Sequence, residues 1–306
     1  MTNSLHVGVF GTSIRSEHIP YFNQLLEVFQ KNNLTGVFYQ PFSKWCVEQG
    51  LIKAPVTTFL SAEELKKNNV RFLISIGGDG TFLDTIPLIR DSEIPVAGLN
   101  FGRLGFLTLI DAEHLEETFE DLCSKNYDVE HRSLLNINFA DLASSGGSKN
   151  EIPEPYALND ITFRSEKFGV LHMDVFVDGK FLNTYFGDGL IIATPTGSTA
   201  YSLSCGGPIL LPENQNFILT PIASHTLTVR PLVLPDTSKI EVRIAGHSPK
   251  FSTTLDSRRF SFQGEQTFFI EKAQFSIHTI RLRNQHFFDT IRTKLMWGQD
   301  VRKGKK

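Results

Sequence analysis

The hydrophobic pattern of residues 1–126 alternates between two periods. Apolar runs of strand length are Leu5–Phe10, Gly36–Tyr39, Val70–Ile76 and Ile94–Leu99. Helices are predicted over segments 19–31, 61–67, 81–90 and 111–125. Apolar residues recur at helical spacing in the first and last, the second opens with the capping box Ser61-x-x-Glu64, and the third follows a glycine turn. Pro87 lies inside the third of these and is expected to kink or end that helix. Alternating strands and helices predict an α/β N-terminal domain, a parallel sheet flanked by helices.

From Tyr127 the pattern changes to strand-like runs with frequent turns. Examples are 134–139, 157–164, 173–177, 190–193 and 240–244, and helical periodicity is nearly absent. This pattern predicts an all-β, sandwich-like C-terminal domain. Residues 144–148 are expected to form a flexible hairpin tip. We therefore predict an α/β domain at 1–126 and a β domain at 127–280.

The last 26 residues form a basic tail, 281–306. Phe287, Phe288, Ile291 and Leu295 could pack this tail back on the first domain. Its end, 302–306, is expected to be solvated.

Composition narrows the class of protein. The net charge of −3 over 306 residues argues against a general nucleic-acid binder. Cys46, Cys123 and Cys205 are odd in number and far apart, which disfavours a disulfide frame or a structural zinc site and fits a reducing compartment. The chain has neither the apolar core of a signal peptide nor an apolar run of about 18 residues, so we expect a cytoplasmic protein without a membrane span.

A glycine-rich turn follows the apolar run Val70–Ile76. Its sequence is Gly77-Gly78-Asp79-Gly80-Thr81. Such a turn lets backbone N–H groups approach a ligand, and the start of the following helix attracts an anion. Asp79 is the only carboxylate there, and we expect it to hold a metal or to accept a proton from a hydroxyl. The alternative is a tight turn in which Asp79 is only a turn residue.

A second glycine turn, residues 100–107, follows the run Ile94–Leu99. It reads Asn-Phe-Gly-Arg-Leu-Gly-Phe-Leu. Ligands of parallel α/β sheets bind beyond the carboxyl ends of the strands. Both glycine turns lie at such ends.

The β domain contains a run of small and hydroxyl-bearing residues, 194–204. Its hydroxyls, together with the flat ring of Tyr201, suit a nucleotide base and ribose. The alternative is a Ser/Thr-rich loop that caps a helix. The Asn159-Asp160 pair either forms a turn or makes hydrogen bonds to a ribose or to the edge of a base.

Several common catalytic patterns are missing from the sequence. It has no G-x-x-x-x-G-K-[ST], no G-x-S-x-G and no His pair with metal-ligand spacing. The glycine turn does not fit G-x-G-x-x-G followed by an acidic residue. These absences disfavour a P-loop enzyme, a Rossmann dehydrogenase and a resident metal.

Taken together, the motifs resemble those of the NAD kinases. The segments that resemble the family's motifs occur in the family's order. They are 77–81, 100–106, Asn159-Asp160, 188–208, and 221–232, which contains Ser-His-Thr and Arg-Pro-Leu. The Gly-Gly-Asp-Gly-Thr loop is shared with diacylglycerol, sphingosine and 6-phosphofructokinase relatives. The Thr-Pro-Thr-Gly-Ser-Thr-Ala-Tyr run is far more specific.

The resemblance implies a phosphotransferase that moves the γ-phosphoryl of ATP to the 2′-hydroxyl of the adenosine ribose of NAD, giving NADP. Asp79 would activate or orient that hydroxyl, and Asp79→Asn would keep the fold and lower kcat by about 10²–10⁴-fold. Gly77, Gly78, Gly80 and Thr81 would face the phosphates. The implied NAD-binding residues are Asp79, Gly80, Phe106, Asn159, Asp160, Asp188, Thr199, Ala200, Tyr201, Ser202, Leu203, Ser204 and Ala223.

The family also implies a fold and partners. Its members combine an α/β domain with a β-sandwich, return the C-terminus to the first domain, use a divalent metal such as Mg²⁺ with ATP, and assemble as homodimers or homotetramers. Asp79 would then face a cleft between the domains.

Three positions depart from the family pattern. Asp160 replaces the usual Glu, Phe186 stands where a basic or polar residue is common, and Asp256-Ser257-Arg258 replaces Asp-Gly-Gln. These departures bear on substrate preference and regulation. Two alternatives share parts of the pattern, a lipid kinase of the diacylglycerol or sphingosine type and a non-catalytic NAD(P) sensor.

Overall fold

The computed structural model of the chain describes residues 4–53, 55–139, 152–166, 169–246, 248 and 250–298. It divides into two compact units, Met1–Glu130 with His278–Lys306, and His131–Ile277. The sequence prediction placed the boundaries at 126/127 and 280/281. The predicted hairpin tip 144–148 and the tail end 302–306 lie outside the described residues.

The described helices and strands are numbered along the chain. The helices are α1 (Ile19–Lys31), α2 (Gln40–Glu48), α3 (Ala62–Lys67), α4 (Asp79–Leu83), α5 (Ile86–Ile89), α6 (Leu115–Ser124), α7 (Tyr201–Ser204) and α8 (Phe287–Leu295). Short 3-10 helices are Ser16–His18, Ala112–His114 and Thr196–Thr199.

The strands of the first part of the chain are β1 (Leu5–Phe10), β2 (Leu34–Tyr39), β3 (Thr58–Phe59), β4 (Val70–Ile76), β5 (Val96–Asn100) and β6 (Ile110–Asp111). Those that follow are β7 (Tyr127–Phe139), β8 (Tyr156–Ala157), β9 (Asp160–Ser165), β10 (Leu171–Val177), β11 (Lys180–Gly187), β12 (Gly189–Ala193), β13 (Asn216–Ile222), β14 (Leu232–Pro235), β15 (Ile240–Ile244), β16 (Phe251–Leu255), β17 (Arg258–Phe262) and β18 (Gln266–Leu282).

The first unit is built on a parallel sheet. Strands follow the order β5-β4-β1-β2-β3, and the end of β18 joins β5 in parallel through Thr279 and Val96. The sheet and α1, α2 and α6 share one buried cluster that includes Phe22, Phe42 and Phe119. The predicted α/β domain is therefore confirmed.

Two helices differ from the prediction. The predicted helix 81–90 is two short helices, because α4 ends at Leu83 and Pro87 lies in the first turn of α5, where its missing N–H costs nothing. Helix α2 was not predicted. Its buried residues Phe42 and Cys46 are only two apolar anchors in nine residues, which leaves a weak periodic signal.

The order β5-β4-β1 positions the candidate site. These three strands are neighbours and parallel, so their carboxyl ends lie at the same edge of the sheet. The segments that follow them begin at Gly11, Gly77 and Phe101. Three turns that are distant in sequence therefore meet at this edge.

The second unit is antiparallel. One sheet has the order β14-β13-β12-β9-β16-β17, and a second set of strands pairs as β11-β10-β15-β18, with β7 pairing with β18 and β8. Alternate residues of both, such as Phe163 and Phe217 from the first and Val242 and Phe268 from the second, share one core. The predicted sandwich-like domain is confirmed.

No helix in the described part of the chain is long and apolar enough to cross a membrane.

Candidate functional site

Asp79 is anchored by the second glycine turn. Its Oδ2 accepts the N–H of Phe106 at 2.8 Å, and its Oδ1 accepts the N–H groups of Leu107 and Thr108, both at 3.1 Å, and the Thr108 hydroxyl at 3.0 Å. A carboxylate has about four lone-pair sites, two on each oxygen. Oδ1 is thus fully engaged, and Oδ2 keeps one site for a further donor. Thr108 was not predicted as a site residue, although it directly follows the 100–107 motif.

Gly105 is required by this contact. A Cβ at Gly105 would lie 1.9 Å from Oδ1 of Asp79, which no side chain can tolerate. The turn is held by Asn100, whose side chain donates to the carbonyl of Arg103 at 2.7 Å and accepts the N–H of Gly102 at 2.9 Å. The spacing of Asn100, Gly102 and Gly105 therefore serves to deliver three N–H groups to one carboxylate.

The glycine loop that carries Asp79 is open at two of its three glycines. A Cβ at Gly80 would meet no atom within 4 Å, and one at Gly78 would meet only the Asn100 side chain at 3.9 Å. At Gly77, by contrast, a Cβ would lie 2.3 Å from the Thr81 hydroxyl. The fold therefore requires Gly77, while the bare backbone at Gly78 and Gly80 leaves room for a ligand.

Helix α4, which begins at Asp79, has only five residues. A macrodipole of one turn is small, so the predicted attraction of an anion would rest on the N–H groups at its start, which have no intrahelical partner.

A cleft of about 330 Å³ lies where β1, β4 and β5 end. Its lining residues are Ser13, Ile14, Arg15, His18, Ile76, Gly77, Gly78, Asn100, Phe101, Gly102 and Arg103. Two arginines and a histidine line it and no carboxylate does, which suits a ligand with several phosphates. Arg15, His18 and Arg103 were not predicted as site residues, because only the sheet order brings them together.

In the second unit, Asp256 holds the backbone of the Asn159-Asp160 pair. Its carboxylate accepts the N–H groups of Leu158 at 2.9 Å, Asn159 at 2.7 Å and Asp160 at 3.3 Å. Arg258 donates to the carbonyls of residues 154 and 156, just before the same pair. The departure from the family pattern at 256–258 thus supports the approach to Asn159.

Asp160 itself is a buried acid. It is 7% exposed and accepts the Thr162 hydroxyl at 2.9 Å. Burial raises the pKa of Asp160 to about 7, and the nearby charge of Asp256 acts in the same direction. The neighbouring Asn159 side chain is half-buried and makes no hydrogen bond to the described residues.

Several hydroxyls of the 194–204 run are committed to the fold. Thr194 donates to the carbonyl of Leu158 at 2.5 Å, Ser198 accepts the N–H of Leu210 at 3.0 Å, and the buried Ser202 hydroxyl pairs with Thr220 at 2.8 Å. The Ser202 side chain is therefore internal, unlike the ligand-facing group that the sequence suggested.

The same run is pressed against Asn159. A Cβ at Gly197 would lie 1.9 Å from the Asn159 carbonyl oxygen, so only glycine fits there. The N–H of Thr194 donates to that carbonyl at 2.9 Å. The structure therefore brings the hydroxyl run and the Asn159-Asp160 pair together.

The other residues predicted from the motifs differ in exposure. Half-buried are Thr199, Ala200, Tyr201 and Leu203, whereas Asp188, Ser204 and Ala223 are exposed. Burial raises the pKa of Tyr201 above its ordinary value. Asp188 lies beside Ala223, because its N–H donates to the carbonyl of Ile222 at 3.0 Å. Phe106 belongs to the first unit, where its N–H contacts Asp79.

Comparison with protein families matches both units. The family model "ATP-NAD kinase N-terminal domain" matches residues 21–127, and "ATP-NAD kinase C-terminal domain" matches residues 158–282. The first range contains Asp79 and the Gly105 turn, and the second contains Asn159-Asp160 and the hydroxyl run.

Individual relatives match nearly the full length of this chain. The NAD kinase of Flavobacterium psychrophilum is 38% identical over 97% of this chain and 100% of its own length. The NAD kinase of Bacteroides fragilis strain ATCC 25285 is 35% identical over 96% of this chain and 98% of its own length.

Solved structures also match. An NAD kinase from Archaeoglobus fulgidus in complex with ATP superposes with a TM-score of 0.70 at 25% identity, covering 95% of this chain and 99% of the other. A yeast NADH kinase complexed with NADH gives a TM-score of 0.84 over 99% of this chain and 91% of the other. At 24% identity, that second likeness shows the fold alone.

Proposed function

Because the chain belongs to the ATP-NAD kinase family, we propose that it transfers the γ-phosphoryl of ATP to the 2′-hydroxyl of the adenosine ribose of NAD, yielding NADP and ADP. The observation that carries the proposal is the 38% identity to an NAD kinase along 97% of the chain. The motif residues lie inside the matched ranges, and the anchored Asp79 gives them a chemical role.

Asp79 is proposed to receive the proton of the attacking hydroxyl. Phosphoryl transfer depends mainly on positioning and charge neutralisation, and asks little of the base. Three backbone N–H groups and one hydroxyl fix the carboxylate, and the remaining lone pair on Oδ2 is the place for the substrate hydroxyl. The structure thus supports a base that is held in place and has a single free acceptor position.

The phosphates of ATP are proposed to lie in the cleft beside Gly77, Gly78 and Gly80, with Thr81 at its edge. The bare backbone at Gly78 and Gly80 allows close approach of phosphate oxygens. Arg15 and Arg103 line the cleft and would neutralise part of the phosphate charge.

NAD is proposed to bind the second unit through its adenosine half. The free amide of Asn159 and the carboxylates of Asp160 and Asp188 offer hydrogen bonds to ribose and base edges, and the Tyr201 ring offers a stacking face. Thr199, Ala200, Leu203, Ser204 and Ala223 complete the proposed lining. Ser202 would support this surface from inside through Thr220.

We propose that the divalent ion implied by the family acts together with ATP. Among the described residues, no group of three His, Cys, Asp or Glu side chains could hold a metal ion. A divalent ion such as Mg²⁺ would therefore arrive on the phosphates of ATP, as is usual for nucleotide substrates.

The remaining proposals rest on the family resemblance. They are assembly into homodimers or homotetramers, a cytoplasmic location, and kinship of the glycine loop with diacylglycerol, sphingosine and 6-phosphofructokinase enzymes.

The direct test is a coupled assay. The purified protein is incubated with ATP, Mg²⁺ and NAD, and NADP is detected with an NADP-specific dehydrogenase. NADP formation is expected, and a parallel incubation with radiolabelled ATP and a diacylglycerol should give no labelled lipid. Tight NAD binding by calorimetry without turnover of ATP would instead indicate a sensor.

A further inference from the structure

Helix α8 begins against the turn that anchors Asp79. The rings of Phe287, the first residue of α8, and Phe106 have centroids 6.4 Å apart. Just before the helix, the Gln285 side chain donates to the carbonyl of Leu109 at 2.8 Å. Residues 285–287, at the start of α8, therefore contact both ends of the segment 106–109. The N–H groups of residues 106–108 hold the Asp79 carboxylate.

Lys294 lies on the same face of α8 as Phe287. The two residues are seven positions apart, which is two helical turns. Lys294 is half-buried, and no residue of α8 is fully buried. Arg292, two positions earlier and on another face, is exposed and pairs with Asp289.

The Lys294 ammonium has no partner among the described residues. Within the described part of the chain it makes neither a hydrogen bond nor an ion pair. Burial lowers the pKa of Lys294, the charge of Arg103 lowers it further, and the charge of Asp79 raises it. The hydrogen bonds that Asp79 accepts come from N–H and hydroxyl donors and not from Lys294, which leaves the Lys294 ammonium available for an anion.

We propose that Lys294 is a further catalytic residue, whose ammonium contacts the phosphoryl group during its transfer. This inference rests on the proposed function. The 2′-oxygen of the ribose forms a bond to the γ-phosphorus, the bond from that phosphorus to the β–γ bridging oxygen breaks, and ADP leaves with its electron pair. The hydroxyl proton passes to Oδ2 of Asp79. Lys294 stays protonated throughout and neutralises charge on the phosphoryl oxygens.

The C-terminal helix thus becomes part of the site. From the sequence, the tail 281–306 was predicted only to pack through its apolar residues and to end in a solvated basic segment. The placement of Phe287 on Phe106 turns the face of α8 that carries Lys294 towards the glycine turn.

The test compares three variants of the full chain in the coupled NADP assay. Lys294→Met removes the charge and keeps the stem, Lys294→Arg keeps the charge, and Arg292→Met is the matched control on the same helix. Lys294→Met should lower kcat/KM for ATP by about 10²–10³-fold, the effect of losing one preorganised charge in a reaction site. Lys294→Arg should recover at least tenfold of that loss, and Arg292→Met should match the wild type.

Calorimetric NAD binding and the thermal midpoint complete the design. Both should be the same in Lys294→Met and wild type. A Lys294→Met enzyme with wild-type kcat/KM would overturn the inference while leaving the proposed function intact. Equal losses in Lys294→Met and Lys294→Arg together with a lowered thermal midpoint would also overturn it, since they indicate a packing role. A wild-type protein that forms no NADP would overturn the proposed function, and this inference with it.

Discussion

Each of the two units contains an Asp carboxylate that binds three consecutive backbone N–H groups. In the first, Asp79 accepts three consecutive backbone N–H groups, those of residues 106–108. In the second, Asp256 accepts those of residues 158–160. In both, the carboxylate fixes a short segment with charge-assisted hydrogen bonds.

Their surroundings separate the two carboxylates. Asp79 lies beside bare glycine backbone, and its charge raises the pKa of Lys294. Asp256 has both an acid, Asp160, and a cation, Arg258, nearby, and burial raises the pKa of Asp256 despite that cation and the N–H groups it accepts. The two carboxylates therefore share a hydrogen-bond pattern but differ in their surroundings, open glycine backbone beside Asp79 and a buried position for Asp256.

Asp79→Asn should have the largest effect, a fall in kcat of about 10²–10⁴-fold. An Asn side chain has a single acceptor oxygen, and its NH₂ would face an N–H donor. The structure therefore modifies the expectation from sequence that this variant keeps an undisturbed fold: hydrogen exchange at residues 106–108 should become faster. Thr108→Val, which removes only the hydroxyl bond, should lose much less activity. Near-normal turnover of Asp79→Asn would show that Asp79 is structural, like Asp256.

Gly105→Ala should displace the Asp79 carboxylate without removing it. Its new Cβ would lie 1.9 Å from Oδ1, so the carboxylate or the turn must move. A misplacement of about 1 Å can cost on the order of 10²-fold in rate, and we expect a loss of kcat of that size. Gly246→Ala, whose Cβ has ordinary contacts from 3.5 Å, is the control. Full activity of Gly105→Ala would mean that the anchored position of Asp79 is not the working one.

Asp256→Asn should lower the free energy of unfolding and weaken the binding of NAD, but leave the binding of ATP unchanged. It leaves at least one of three N–H groups poorly paired, at a cost of about 1–3 kcal/mol in the free energy of unfolding, measured with urea. The loosened Asn159-Asp160 pair should raise the KM for NAD, and the KM for ATP should stay constant. An equal change in both KM values would contradict the division of roles between the units.

Asp160→Asn should change how stability depends on pH. The folded-state pKa of about 7 lies above the ordinary 3.8, so the folded protein keeps a proton that the unfolded chain loses between about pH 4 and 7. The free energy of unfolding of the wild type must therefore fall as pH rises through this window. Asn cannot titrate, and its oxygen can still accept the Thr162 hydroxyl.

Urea unfolding at pH 5 and pH 8 tests this. Between pH 5 and pH 8 the free energy of unfolding should fall less in Asp160→Asn than in the wild type. Part of the fall should remain in the variant, because the pKa of Asp256 is also raised. The exposed Asp188→Asn variant should behave as the wild type. A wild type with the same stability at both pH values would mean that Asp160 is ionised throughout.

Local sequence determined much of the fold. Strands β1, β4 and β15 and helix α1 have the predicted bounds, since their apolar patterns are regular. Gly11, Gly77 and Asn32 directly follow β1, β4 and α1. The sandwich-like unit followed from alternation and turns. The motifs at 77–81, 100–107 and 188–208 also identified the family from sequence alone.

Only the tertiary structure decided how these motifs are used. The four donors on Asp79, the clearance at Gly105, and the contacts of Asp256 with Leu158 and Asn159 join residues 26 to 98 positions apart, and no local pattern encodes such contacts. The same holds for Ser202, which the pattern placed at a ligand and the packing turned inward to Thr220. Sequence thus determined which groups are present, whereas the order of parallel strands and the packing of α8 decided which of them meet, because proximity between distant segments is a property of the folded chain.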